Sequence, residues 1–167
     1  DVLNALEKTD FVLGEKVYEL EKKLADYVGV KECITCASGT DALIIPLMAY
    51  KVGKGDAVFT TNFSFFATTE VISLVGATPV FVDINEKTFN INSTLLEETI
   101  RNTINEGKLN PKAIIAVDLF GQLANYSEIK KIAEKYNLYL IEDACQSFGA
   151  TYKNKKSCSF GDVAATS

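Results

Sequence analysis

The sequence predicts an α/β domain, a mostly parallel sheet covered by helices on both faces as a three-layer sandwich. Three observations predict it. Short apolar runs such as 113–117 and 138–141 lack polar alternation, as strands buried on both faces do. Stretches with apolar residues three and four apart lie between them and read as amphipathic helices. The two kinds of segment alternate along the chain, the pattern of β-α-β units that close into a parallel sheet.

Each element has its own signal. Val17, Leu20, Leu24, Tyr27 and Val28 share one face of a helix over 15–27, and Gly29 supplies a stop. A strand is predicted at 33–36, where Cys33 and Cys36 would sit as small buried hydrophobes. A helix begins near Thr40 and carries 42–50, and Gly53 and Gly55 punctuate the turn after it. Residues 57–60 read as a strand, 65–75 as a helix, 76–79 as a turn and 80–83 as the next strand. Residues 85–92 are polar and loop-like. Ser93 is expected to cap a helix through about 104, with Leu95, Leu96 and Ile100 on its inner face.

A strand follows at 113–117, then a helix at 126–136 with Ile129, Ile132 and Ala133 inward, and a strand at 138–141. Lys153, Lys155 and Lys156 fall in a predicted hairpin as solvated turn charges, and the last strand is placed at 162–167. No repeat or linker-like shift in composition divides the chain, so 1–167 is read as a single domain.

Composition narrows the function. The chain carries 22 acidic and 17 basic residues, a net charge of -5, and shows no basic cluster, which disfavours nucleic acid as a partner. No apolar run approaches the ~20 residues of a membrane span. The first residues show neither the basic nor the apolar region of a signal peptide. A cytoplasmic location and no membrane partner are expected. The chain has no His, which excludes a Ser-His-Asp or Cys-His site within it. It also leaves Cys33 and Cys36 without further ligands at zinc-like spacing, so no metal is expected and the thiols are read as reduced.

Three features fall at predicted strand ends. Ser38-Gly39-Thr40-Asp41-Ala42-Leu43 follows a strand and opens a helix, whose free N–H groups and dipole favour an anion such as phosphate. It matches neither a Walker loop nor a dinucleotide fingerprint, and an ordinary helix cap is the plain alternative. Asn62-Phe63-Ser64-Phe65-Phe66-Ala67-Thr68 offers aromatic rings for stacking, or simply core. Glu142-Asp143-Ala144-Cys145-Gln146 places a carboxylate just past a strand, where open α/β sheets bind ligands. Asp143 is the candidate there, against an exposed loop acid or a cap. A planar, phosphorylated, basic heterocycle would use all three features, and pyridoxal 5′-phosphate is such a molecule.

These segments, with Gly76-Ala77-Thr78-Pro79-Val80-Phe81-Val82-Asp83, Val117-Asp118-Leu119-Phe120-Gly121-Gln122 and Gly161-Asp162, resemble the DegT/StrS family of sugar-nucleotide aminotransferases. The resemblance implies a pyridoxal-phosphate enzyme of fold type I that moves an amino group, usually from glutamate, to a nucleotide-linked keto-sugar. Such enzymes serve amino-sugar and polysaccharide biosynthesis, and a homodimer is implied for the full-length protein.

By the same resemblance Gly39, Thr40 and Ser167 would bind the cofactor phosphate and Phe65 would stack on the ring. Asp143 would pair with the pyridinium nitrogen, and Gln146 would lie near the ring hydroxyl and the substrate. Asp118 stands where the family often has His, so no role is carried over to it. The family's Schiff-base lysine is expected five positions beyond Ser167. The chain is therefore read as the N-terminal portion of the large, cofactor-binding domain, without the C-terminal small domain and inactive by itself. A sugar dehydratase on the same scaffold, with His in place of that lysine, and a non-catalytic binding or regulatory module are the rival readings.

Overall fold

The computed structural model describes residues 2–9 and 11–167. The chain divides into two compact units, Asp1–Cys36 and Ala37–Ser167. In the first unit α1 spans Val2–Lys8, a short helix that the sequence pattern does not announce, and α2 spans Glu15–Val28. Gly29 ends α2 at φ 84° and returns its N–H to the Ala25 carbonyl, so the left-handed stop predicted from its lack of a Cβ is present. The apolar face predicted for α2 is largely uncovered: Ala25 is buried, while Leu20 and Tyr27 are about half exposed.

The strand predicted at 33–36 is not formed. That segment has no regular structure, Ile34 is 83% exposed and Cys36 is exposed. A strand needs a ladder partner for its backbone. Here the Thr35 N–H and hydroxyl both donate to the Glu21 carboxylate, each at 2.8 Å. The cysteines are thus not the small core residues that their apolar neighbours suggest.

The second unit holds the sheet. Among its described residues, β1 (Asp56–Thr60), β2 (Thr78–Phe81), β3 (Asn110–Val117) and β4 (Tyr139–Asp143) are joined by a strand after a small hairpin. The hairpin pairs β5 (Thr151–Tyr152) with β6 (Lys155–Lys156), and β7 (Val163–Ala165) completes the main sheet. The spatial order is β2-β1-β3-β4-β7, and every neighbouring pair is parallel. Lys153 and Asn154 turn the hairpin with positive φ, as a tight two-residue turn requires. The last strand is shorter than the predicted 162–167.

Helices cover both faces for a reason visible in the strands. Val58, Ile115 and Ile141 face one way and pack with Leu43 and Leu47 of α3 (Gly39–Ala49) and Val71 and Ile72 of α4 (Phe66–Leu74). Their neighbours Phe59, Ile114 and Leu140 face the other way. They pack with Leu96 and Ile100 of α5 (Ser93–Glu106) and Ile129 and Ile132 of α6 (Tyr126–Tyr136). Strand period two sends successive side chains to opposite faces, so a run apolar at every position needs two helical layers. Each of these side chains, fully buried, contributes about 1.5–3 kcal/mol.

Several boundaries shift: β2 covers Thr78–Phe81 where 80–83 is predicted, and β3 begins at Asn110 where 113 is predicted. Asn92, not Ser93, caps α5: its side chain accepts from the Thr94 and Leu95 N–H groups. Ser93 is the first helical residue and donates to Glu128 instead. Adjacent Asn and Ser are both good caps, and only the backbone geometry separates them. Strand β4 runs through Asp143, two residues beyond the predicted end, because Glu142 and Asp143 pair with Ala116 and Val117 of β3 on one side and with Ala164 and Ala165 of β7 on the other.

The order reverses at β1, whose sequence neighbour β2 lies on one side and β3 on the other. Such a switch opens a crevice at the carboxyl ends of the strands, the usual ligand position of an open α/β sheet.

Candidate active site

The carboxyl edge of the sheet carries the predicted residues. Phe65 follows β1 and is the residue just before α4. It is 72% exposed, and Phe66 nearly as much, so these rings are surface and not core. Asp143 is the last residue of β4 and is buried. Its Oδ2 accepts from the Thr68 hydroxyl at 2.8 Å, and Oδ1 lies 3.4 Å from the Cys145 N–H. Its carbonyl accepts from the Asp118 N–H at 3.0 Å, which ties the exits of β3 and β4 together.

The N-terminus of α3 reaches the same edge. Ser38 caps it, accepting from the Asp41 N–H and donating its hydroxyl to the Asp41 carboxylate at 2.7 Å. Gly39 is the first helical residue. A Cβ on it would stand 3.0 Å from the Cys145 Sγ, 3.1 Å from the Ser167 Cβ and 3.2 Å from the Ser167 Oγ. Gly39, Cys145 and Ser167 therefore converge tightly, and glycine keeps the helix N–H groups approachable. Ser167 is carried there by β7: the Ala144 N–H donates to the Ala165 carbonyl and the Thr166 hydroxyl to the Ala144 carbonyl. The exposed Gln146 accepts the Phe120 N–H on its Oε1 at 2.7 Å, which fixes the amide beside the β3 exit. Burial, then the charge of Asp143, pushes the Cys145 thiol up to about 12, so it stays a neutral thiol near pH 7.

Behind Asp143 lies a polar cluster that the sequence pattern did not single out. Asp118 is fully buried and accepts from the Ala124 N–H, the Tyr126 hydroxyl and the Ser147 hydroxyl. Glu142, also fully buried, accepts the Cys158 N–H at 2.6 Å and the Phe160 N–H at 2.8 Å. Ser147 and Ser157 bond to each other between the two acids. Burial raises both carboxyls, against the donors that hold them, and the Asp118 charge raises Glu142 further. Asp118 is thus a structural acid, which binds the β3 exit to α6 through Tyr126.

The sign of the pH effect follows. In the window that opens at the ordinary carboxylate range and extends toward neutrality, the unfolded chain has lost the Glu142 proton while the folded chain keeps it. The folded state binds more protons, so this group's contribution to stability falls as pH rises. Glu142→Gln is expected to remove that fall. The stability difference, variant minus parent, should climb between about pH 5 and about pH 7 in denaturant titrations. A pH-independent difference would show that Glu142 does not titrate there.

A cavity of about 470 Å³ opens at the other edge of the sheet, lined by Tyr50, Tyr139, Lys112 and Asp162 among others, and holds none of the six candidate residues. The candidate residues lie instead at the carboxyl edge. The fold is that of an α/β protein with a helix N-terminus, an exposed aromatic ring and a buried carboxylate along one edge of its sheet.

The chain belongs to the DegT/DnrJ/EryC1/StrS aminotransferase family, which matches residues 1–167. It is 49% identical over 166 residues to the UDP-2-acetamido-2-deoxy-3-oxo-D-glucuronate aminotransferase of Pseudomonas aeruginosa, covering 99% of this chain and 44% of that protein. A solved DegT DnrJ EryC1 StrS aminotransferase from Brucella abortus superimposes with a TM-score of 0.98 at 50% identity, over 99% of this chain and 44% of its own. A Streptococcus pneumoniae protein solved in its PLP form gives a TM-score of 0.91 at 30% identity, over 99% of this chain and 44% of that one. The fold is that of the pyridoxal-phosphate enzymes of fold type I. The chain spans less than half the length of these relatives.

The residues present suit that cofactor. The space at Gly39 that a Cβ would fill is bordered by the Ser167 hydroxyl and by a helix N-terminus, a donor set for a phosphate. Asp143 is an acceptor suited to a protonated ring nitrogen, and Phe65 presents an exposed ring between strand and helix.

Proposed function

We propose that the full-length protein carrying this chain is a pyridoxal-phosphate-dependent aminotransferase that moves an amino group from glutamate to a nucleotide-linked keto-sugar. It would act in the cytoplasm as a homodimer, in amino-sugar and polysaccharide biosynthesis. Residues 1–167 are the N-terminal portion of its cofactor-binding large domain. The observation that carries this reading is the convergence of Gly39, Ser167 and Asp143 at the carboxyl edge, in a chain of this family.

In this reading Gly39 and Thr40 bind the phosphate through the N–H groups at the start of α3, and the Ser167 hydroxyl adds a donor. Phe65 stacks on the ring and orients it. Asp143 accepts the ring nitrogen's N–H and holds the proton there. Gln146, fixed by the Phe120 N–H, faces the ring hydroxyl and the entering substrate. When bound, the cofactor supplies an electron sink for the carbon that loses its proton. Asp143 makes that sink effective by keeping the nitrogen charged.

The 49%-identical relative is named for a UDP-linked 3-oxo sugar acid, so that sugar is the first substrate to try. The full-length protein, loaded with pyridoxal phosphate and given glutamate and this sugar nucleotide, is expected to yield 2-oxoglutarate and the aminated sugar in equal amounts by mass spectrometry. Loss of a sugar hydroxyl as water would instead favour a dehydratase. No turnover of any sugar nucleotide by cofactor-loaded protein would contradict the proposal.

A further inference from the structure

Asp143 is held through its backbone and through its side chain, and the two differ in kind. Its backbone carbonyl is fixed by the Asp118 N–H. Its carboxylate is fixed by one short bond, from the Thr68 hydroxyl to Oδ2 at 2.8 Å, across 75 residues of sequence. The contact of Oδ1 with the Cys145 N–H is long, at 3.4 Å, so Oδ1 keeps acceptor capacity for a further donor.

Thr68 is 1% exposed and lies on the stripe of α4 that also buries Val71 and Ile72. A threonine inside a helix commonly bonds its hydroxyl to the carbonyl four residues back. Here the single hydroxyl hydrogen goes to a carboxylate, which only accepts. The Ser64 Oγ, 3.2 Å from the Thr68 Oγ1, must then be the donor of the second bond. The result is a directed chain, Ser64 to Thr68 to Asp143, that leads from the loop beside Phe65 to one oxygen of the acid.

We infer that Thr68 is a positioning residue: its hydroxyl anchors Oδ2 of Asp143 so that Oδ1 is the oxygen offered to the ring nitrogen. The inference rests on the reading of Asp143 as the partner of that nitrogen. Two consequences point the same way. Without the anchor the carboxylate rotates, and the N–H···O geometry loosens. A hydroxyl donated to a carboxylate also favours the anion over the neutral acid. Its loss moves the proton of an N–H···O pair toward oxygen, so the ring nitrogen becomes less protonated.

The test uses the full-length protein loaded with pyridoxal phosphate carrying ¹⁵N in the ring, and reads the nitrogen chemical shift at one fixed neutral pH. The parent protein is expected at the pyridinium position and Asp143→Ala near the neutral-pyridine position. Thr68→Val should move the signal measurably toward neutral pyridine, and Thr68→Ser, which keeps the hydroxyl, should match the parent. Thr68→Ala carries the same expectation as valine and replaces it if valine does not fold. A parent-like shift in the variant lacking the hydroxyl overturns the inference while leaving the role of Asp143 intact. Displacement by serine equal to that by valine also overturns it, because the methyl packing would then be responsible. A neutral nitrogen in the parent, or a pyridinium shift in Asp143→Ala, overturns the role of Asp143 and the inference with it.

Discussion

Asp143→Ala in the full-length protein is expected to lower transamination turnover on the order of 10²- to 10³-fold, the size seen when one preorganised electrostatic contact is removed from a reacting centre. The physical reason is the fixed charge at the end of β4. A buried carboxylate whose Oδ2 is already bonded to Thr68 needs no reorganisation to face a cationic nitrogen. The fold should survive, because the side chain makes one short bond, with Thr68, and a long one with Cys145, while Ile141 and Leu140 carry the strand's apolar contacts. The check is single-turnover kinetics alongside a denaturation midpoint. Turnover equal to that of the parent would remove Asp143 from the mechanism.

The largest effect on stability is expected at Gly161. A Cβ there would lie 2.6 Å from the Val163 carbonyl oxygen, 2.7 Å from the Leu140 carbonyl oxygen and 3.1 Å from the Glu142 nitrogen. All three are backbone atoms, and the first two lie in β7 and β4, which pair with each other. Neither can give way without disturbing that pairing. The next residue, Asp162, also bonds twice to Leu140, through its N–H and its carboxylate. Gly161→Ala is therefore expected to cost on the order of 3 kcal/mol, at the upper end of overpacking penalties. Urea unfolding reads it directly, and an unchanged midpoint would mean that the segment entering β7 is freer than its contacts imply. Gly39 makes a milder contrast, since its nearest obstacles, the Cys145 Sγ, Ser167 Cβ and Ser167 Oγ, lie at 3.0, 3.1 and 3.2 Å.

Much of this architecture is legible in the sequence because it depends on local pattern. The helix at 126–136 appears with the predicted bounds, since Ile129, Ile132 and Ala133 repeat with helical spacing. The strands β1, β3 and β4 announce themselves as apolar runs that only a doubly covered sheet can bury. What failed depends on partners that lie far off in the chain. The 33–36 segment has strand-like residues but gives its Thr35 donors to a helix side chain. Strand β4 reaches Asp143 because β3 pairs with it on one side and β7 on the other.

The site divides in the same way. The candidates Gly39, Thr40, Phe65, Asp143 and Gln146 lie in segments readable at strand ends, whereas Ser167 comes from the family resemblance alone. Thr68 had a signal too, as a polar residue in register with Val71 and Ile72 on a buried stripe. The Asp118, Glu142, Ser147 and Ser157 cluster had none, because the register of β3 on β4 and the path of the intervening loop bring it together.

The central claim is that one crevice, built from the start of α3, Phe65, the end of β4 and Ser167, holds pyridoxal phosphate. A crystal structure of the full-length protein with that cofactor tests it most directly. The phosphate is expected on the N–H groups at Gly39 and Thr40 and on the Ser167 hydroxyl, the ring against Phe65, and the ring nitrogen within hydrogen-bonding distance of Asp143. A phosphate seated elsewhere, or a ring nitrogen turned away from Asp143, would contradict it.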